Sequence, residues 1–366
     1  MVKVIHLTSV HPRYDTRIFE KMCKSLNKEY EVNLIVADGK GDEIKDGIKI
    51  YDVGKAKDRK ERILKTTKLV FKKAMDLDAK VYHLHDPELI PIGLKLKKLG
   101  KKVIFDSHED VPKQILAKHY LNNFLKKILS FGYSRYEIWA LKKFDYVVAA
   151  TPFIRDKFLR VGIKSIDVNN FPKLEDFKNV KSKFKEKNLC YVGTLYKTRG
   201  IKEIVKAVED LDVRLIIAGK FYDEEYEKEV KSLKGWKKVD FRGFVNKNEI
   251  KNILENSIAG LVTLYPTPSY IEAYPVKMFE YMAVGIPVIA SDFPLYKNFV
   301  EKEKCGICVN PLDEKEIKMA VVKIINNIEF AKQMGINGKN AIKNKYNWEV
   351  EEKKLFEVYE KVLNEN

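Results

Sequence analysis

The chain has 366 residues, of which 45% are hydrophobic and 33% charged, with a formal net charge of +17. That length exceeds what one hydrophobic core usually supports, so two domains are expected, and the composition excludes a disordered or fibrous protein. No window approaches the roughly 18 uncharged apolar residues of a membrane span, and the first residues enter a strand-like run without a basic leader or cleavage site, so a cytoplasmic protein is expected.

Short β-branched runs alternate with amphipathic helical stretches along the whole chain, the pattern of a doubly wound parallel sheet. The first half predicts strands at 2–7, 31–36, 48–53, 80–84, 102–106, 146–149 and 165–168, with helices at 17–27, 59–75, 88–99, about 113–143 and 152–160. A polar, basic segment at 170–187 reads as the linker between domains. The alternation then restarts, with strands at 189–193, 213–218, 238–241, 258–263, 287–290 and 307–309. Helices are expected at 201–210, 224–233, 248–255, 276–284, 314–326 and about 348–363. The expected architecture is two Rossmann-like α/β domains, 1–170 and 171–346, with a ligand cleft between the carboxyl ends of their sheets. The last helix, within 347–366, is long enough to return to the first domain.

The charge is uneven: 35 basic against 22 acidic residues in 1–170, a balance of +13, and 34 against 30 in 171–366, a balance of +4. An acidic partner such as phosphate, anionic lipid or nucleic acid would account for it. So would a thermophile-like surface, since the chain is rich in Lys and Glu and its glutamines are Gln114 and Gln333. No nucleic-acid-binding module is recognisable. The four cysteines, Cys23, Cys190, Cys305 and Cys308, are too scattered for a disulfide framework. The Cys305-x-x-Cys308 spacing reads as packed strand residues, because no second pair completes a zinc site.

Polar residues gather where strands give way to helices. After the first strand come His11, Arg13, Asp15 and Arg17; Asp15 suits a helix cap, and the others could bind a ligand. His83, His85 and Asp86 follow the fourth predicted strand, and His108, Glu109 and Asp110 the fifth. These could be taken for a metal cluster, but neither a closed ligand shell nor short fixed spacings are present, and hydrogen bonding to hydroxyls fits them better. In the second half, Gly193 and Gly200 bracket a strand-to-helix loop, where small residues admit a diphosphate and Arg199 can neutralise it.

The most specific feature is Glu272-x7-Glu280. Pro275 suits a first helical position and Gly285 ends the apolar run 278–284, so Glu272 lies just before a helix and Glu280 inside it. Lys277 lies one turn in. A helix N-terminus with a lysine attracts phosphate. Carboxylates on either side repel phosphate but accept from sugar and ribose hydroxyls, and the combination suggests a nucleotide-sugar site.

At these residues the chain resembles the family 4 retaining glycosyltransferases of the GT-B fold, over essentially its whole length. The resemblance rests on Glu272-x7-Glu280 with 281–291, the 191–200 loop, His83 to Pro87, and Asp106-Ser-His108. It implies transfer of a hexosyl group from a nucleoside-diphosphate sugar with retained configuration, no metal and no cofactor, and a glycan or lipid-linked acceptor. Glu272 would face the donor sugar, Glu280 the ribose, Arg199 and Lys277 the diphosphate, and His108 the transferred sugar. Gly193, Thr194, Tyr274, Pro275 and Val276 would line the donor, and Gly243, Phe244 and Val245 its base. His11, Arg13, Arg17, His85, Asp86 and Glu109 are the acceptor candidates. Thr194 stands where the family often has a second basic residue, which leaves neutralisation to Arg199 and Lys277. The basic first domain, with an apolar and lysine-bearing stretch at 121–131, is compatible with an anionic membrane surface or with packing on its own domain. The competing readings are a nucleotide-sugar epimerase or sugar-phosphate-processing enzyme on the same fold, and a basic nucleic-acid-binding protein.

Overall fold

The computed structural model describes residues 1–117 and 122–365. They form two units, Met1–Asn170 with Val350–Asn366, and Phe171–Glu349. Both are α/β layers around a predominantly parallel sheet.

The first unit holds β1 (Lys3–Leu7), β2 (Glu31–Val36), β3 (Glu43–Lys45), β4 (Ile48–Asp52), β5 (Val81–Leu84), β6 (Lys102–Ser107), β7 (Tyr146–Ala149) and β8 (Ser165–Asp167) in the order β3-β4-β2-β1-β5-β6-β7-β8. Every pair is parallel except the β3–β4 hairpin at the edge. The order reverses between β1 and β5, where His6 and His83 stand side by side in register. Such a switch point opens a crevice at the carboxyl ends of the strands.

The second unit holds β9 (Asn188–Val192), β10 (Arg214–Ala218), β11 (Val239–Gly243), β12 (Ala259–Val262), β13 (Val288–Ser291) and β14 (Gly306–Val309), ordered β11-β10-β9-β12-β13-β14. Its switch point lies between β9 and β12. Helix Val276–Val284 runs between β12 and β13 and ends at Gly285, whose left-handed φ of 87° lets its N–H and that of Ile286 reach back to the carbonyls of Met282 and Tyr281. Helix Ile328–Asn344 supports it at close range: a Cβ on Gly335 would lie 1.9 Å from the Gly285 carbonyl oxygen.

Two expectations need correction. The 170–187 segment is not a free linker, because Phe171 and Val180 are buried in the second unit's core and Ser182 N–H donates to the Val284 carbonyl. The long helix expected near 113–143 is two helices, Val111–Ala117 and Asn123–Leu141; the expectation also covered residues 118–121, which lie outside the described residues. The second helix starts where the Asn122 side chain accepts from Leu125 N–H at 2.7 Å. Strand β3 was not expected, since three mostly exposed residues carry no alternation worth reading.

Candidate functional site

In the Phe171–Glu349 unit the candidates collect at the carboxyl end of β9. Gly193 follows the strand with φ 137°, and Lys277 packs on it so closely that a Cβ there would lie 2.8 Å from Nζ. The ammonium sits 3.7 Å from the centroid of the Tyr191 ring. It is buried and has no hydrogen-bond partner among the described residues. The residue as a whole is half-buried, but its charged end is out of solvent. Burial first, and Arg199 second, push its pKa well below the ordinary 10.5, against the opposing pull of Glu280. The Arg199 guanidinium lies 4.5 Å from the Tyr270 ring centroid, and its Nε is likewise buried without a partner. Buried charges are normally paired, so a buried ammonium with a half-buried guanidinium, beside a glycine, makes a site for an anion.

Three neighbouring strands end in glycines at positive φ: Gly193, Gly219 at 154° and Gly243 at 62°. Gly219 N–H donates to the Gly243 carbonyl at 2.7 Å, and a Cβ on Gly219 would come within 1.8 Å of the Gly193 carbonyl oxygen. Side chains are excluded there, and main-chain groups line the strand ends instead.

Glu272 is half-buried at the end of the short helix Pro268–Ile271. The Tyr296 hydroxyl is 2.8 Å from the Tyr270 carbonyl and 2.9 Å from that of Ala273, which bracket Glu272 and fix its loop. Glu280 is half-buried within helix Val276–Val284, one turn beyond Lys277. Pro275 is the residue before the helix, with ψ 121°, rather than its first residue, which is Val276. Tyr274 turns its ring into a cluster with Phe279, Phe299 and Phe171. Thr194 is exposed, and its carbonyl accepts from the Tyr191 hydroxyl. Phe244 is 88% exposed, whereas Val245 packs on the core. Tyr191, Tyr270, Tyr296 and Gly219 were missed by sequence reasoning. Only Gly219 carried a signal, a glycine directly after β10 as Gly193 is after β9.

In the other unit the strand ends bring five of the chain's six histidines together; His119 lies outside the described residues. His6, His83 and His85 are fully or almost fully buried. Asp106, at 0% exposure, accepts from Arg17 twice, at 2.6 and 3.0 Å, and stands 3.0 Å from His85 Nδ1 and 2.7 Å from His108 Nε2. His108 packs 4.8 Å from His11 between ring centroids. His11 bridges Asp15 and Asp86 at 3.5 and 3.4 Å. Burial opposes its charged form, but Asp15 and then Asp86 outweigh it and hold His11 above the ordinary 6.5.

Arg13 and Arg17, expected as acceptor residues, are committed inside the protein. Arg13 is 3% exposed and bonded to Asp38, Glu43 and the Gly41 carbonyl, and Arg17 is held by Asp106 and the Val168 carbonyl. A ligand would have to break a buried pair to reach either. Asp86 accepts from the Thr8 hydroxyl and from Ser9, and Glu109 is exposed.

Two groups of three, His6 with His83 and His85, and His85 with Asp106 and His108, are close enough to hold a metal ion. In the first group His6 Nδ1 faces His85 Nε2 at 2.8 Å, and His6 Nε2 and His83 Nδ1 face the Tyr359 hydroxyl at 3.1 and 3.0 Å, so these nitrogens are already engaged with one another and with the phenol. The second group shares its carboxylate with the Arg17 cation. Neither donor set fits a cation as it stands.

Residues 172–341 match the profile described as Glycosyl transferases group 1, and residues 16–169 that of Glycosyltransferase Family 4. An uncharacterized glycosyltransferase of Methanocaldococcus jannaschii is 29% identical over 292 residues, 75% of this chain and 71% of that protein. The O-antigen chain mannosyltransferase RfbU of Salmonella typhimurium is 27% identical over 253 residues, 64% of this chain and 68% of that protein. Among solved structures, sucrose-phosphate synthase from Thermosynechococcus elongatus superposes with a TM-score of 0.80 at 16% identity over 99% of each chain. HepE of Anabaena, in complex with UDP and glucose, gives 0.74 at 13% identity, covering 98% of this chain and 100% of that one. These likenesses fix the fold as GT-B, and the two profiles support a glycosyltransferase. The chain belongs to the family 4, group 1 glycosyltransferases.

Proposed function

We propose that this enzyme moves a hexosyl group from a nucleoside-diphosphate sugar to a hydroxyl of a glycan or lipid-linked acceptor, with retained anomeric configuration. The observation that carries the proposal is the buried, unpartnered ammonium of Lys277 beside Arg199 and Gly193. An anion with the charge density of a diphosphate would complete the desolvated cations. They would stabilise it most as the leaving group gains charge, the interaction that accelerates reaction. The HepE complex with UDP and glucose and the O-antigen mannosyltransferase support a nucleotide-sugar donor and a glycan acceptor.

In this reading Glu272 accepts from hydroxyls of the donor sugar, Glu280 from the ribose, and the Gly243 to Val245 segment lines the base. His108 meets the transferred sugar, and His11 and Glu109, which keep exposed atoms, meet the acceptor. No enzyme nucleophile is assigned; the departing phosphate oxygen takes the acceptor's proton. Arg199 and Lys277 take the part a metal would otherwise play, so neither metal nor cofactor is required. A thermal-shift panel of UDP-, GDP- and ADP-sugars tests the donor site, repeated on Glu272→Ala and Glu280→Ala. Stabilisation of the wild type that both substitutions reduce is expected, and no stabilisation by any of these sugars would overturn the reading.

We place the enzyme in the cytoplasm, on the inner face of a membrane. No helix among the described residues is long and apolar enough to cross one. Helix Asn123–Leu141 instead exposes Phe124, Ile128 and Phe131, at 76%, 51% and 68%, with Lys126 and Lys127 between them. That mix of apolar and basic residues suits an anionic lipid surface. Charge reversal of Lys126 and Lys127 should weaken liposome binding and leave donor binding unchanged; failure of the wild type to bind anionic liposomes at low salt would refute it.

A further inference from the structure

The Asp106 carboxylate sets the direction of a buried hydrogen-bond relay. An ionised carboxylate only accepts, so His85 carries its proton on Nδ1, 3.0 Å from Asp106 Oδ2. The Nε2 of His85 then accepts from His6 Nδ1 at 2.8 Å. His6 Nε2 in turn accepts from the Tyr359 hydroxyl at 3.1 Å, and the Tyr359 oxygen accepts from His83 Nδ1 at 3.0 Å. Every proton points toward Asp106, and His83 Nε2 is left as a buried lone pair with no partner among the described residues. Burial keeps His6, His83 and His85 below the ordinary imidazole range, hence neutral. Burial also opposes ionisation of Asp106, but Arg17 and then His108 outweigh it and hold the carboxyl well below its ordinary 3.8.

His108 is the second imidazole on this carboxylate. Its Nε2 is buried and lies 2.7 Å from Asp106 Oδ2, off the line of a good hydrogen bond. A lone pair facing a carboxylate oxygen at that distance would be repelled, so Nε2 carries the proton and Nδ1 remains the ring's acceptor. The charged and titratable groups around His108 are Asp106, Arg17 and His85 on one side and His11, backed by Asp15 and Asp86, on the other.

We propose that Asp106 is a positioning residue that locks His108 in its Nε2–H form, so that Nδ1 accepts from a sugar hydroxyl. The relay from His83 through Tyr359, His6 and His85 braces the same carboxylate from the C-terminal helix Trp348–Asn364. This rests on the reading above that His108 meets the transferred sugar. It adds which nitrogen does so and what holds it.

Long-range proton–nitrogen NMR of the full-length protein labelled with nitrogen-15 histidine tests it without any ligand. Nδ1–H tautomers are expected for His6, His83 and His85, and Nε2–H for His108. An Nδ1–H tautomer, a mixture or a doubly protonated ring at His108 overturns the proposal, since in each Nδ1 is not free to accept. With the nucleotide sugar that stabilises the wild type in the panel above as donor, Asp106→Asn should release the His108 tautomer and lower the kcat of its turnover by about 100-fold, the scale of a misplaced catalytic group, with KM within about twofold. If Asp106→Asn does not fold, the wild-type tautomers decide. Undiminished transfer by His108→Ala would sink the assignment of His108 to the sugar. Loss of transfer in His108→Ala, with rate and tautomer intact in Asp106→Asn, would leave that assignment standing and reject the positioning role.

Discussion

The Lys277 ammonium lies 3.7 Å from the centre of the Tyr191 ring and against the main chain of Gly193. A desolvated cation–π contact contributes about 2 kcal/mol, whereas burying an ammonium costs several kcal/mol even after relaxation. The contact therefore does not compensate the burial. What holds the lysine there is its position on helix Val276–Val284, which Gly335 of the neighbouring helix and the close of the helix at Gly285 keep in place.

Lys277→Met should consequently make the ligand-free protein more stable, by about 1–3 kcal/mol, the range found when buried ionic groups are replaced by apolar ones of similar volume. The same substitution should abolish stabilisation by nucleoside diphosphates. Differential scanning fluorimetry with and without UDP and GDP reads both effects. A wild-type-like ligand response, or a less stable free protein, would contradict the assignment.

The depressed pKa of Lys277 fixes the sign of a pH effect. Below the ordinary 10.5 the unfolded chain binds a proton that the folded state binds less well, so stability rises with pH toward 10.5 and falls as pH drops toward the folded pKa. A bound diphosphate favours the charged ammonium, so binding should draw in a proton over the same window. Calorimetric titration of UDP at pH 8–9 in buffers of differing ionisation enthalpy should show proton uptake by the wild type. Identical apparent enthalpies across buffers would rule the linkage out.

The sheet and the donor loop were legible because their signals are local. Strand residues 146–149 and helix 276–284 follow from β-branched runs and from an apolar stretch closed by Gly285. Partnerships across the sequence were not legible. Nothing near Arg17 announces Asp106, which is 89 positions away, and the Tyr359 contact to His6 spans 353. Segment 170–187 read as a linker because its lysines dominate the composition, while Phe171 and Val180 supply the burial. The loop at Glu272 was visible, but Tyr296, which holds it, sits on a helix where a tyrosine is unremarked.

Tyr296→Phe isolates that support. The hydroxyl is withdrawn from the carbonyls of Tyr270 and Ala273, a loss of about 1 kcal/mol in stability. The loop carrying Glu272 should loosen, while Lys277 and Arg199, on other elements, stay in place. Affinity for a nucleotide sugar should therefore fall more than affinity for the bare nucleoside diphosphate. Equal losses for both ligands would show that the loop does not act through Glu272.

The glycines at the ends of β9, β10 and β11 make different demands, and alanine should separate them. At Gly219 the added Cβ would lie 1.8 Å from the Gly193 carbonyl oxygen, a main-chain atom that only a shift of the strand end can relieve, on top of a φ of 154°. Gly219→Ala should cost about 2–4 kcal/mol, within the range of overpacking and backbone strain, and should disturb the bed on which Lys277 rests. At Gly243 nothing lies within 4 Å of the new Cβ and φ is 62°, so the cost is the left-handed conformation alone, about 1–2 kcal/mol. Urea unfolding of the two variants reads the difference directly. Equal costs would mean that the close approach at Gly219 relaxes freely and that the three strand ends are not packed as one surface.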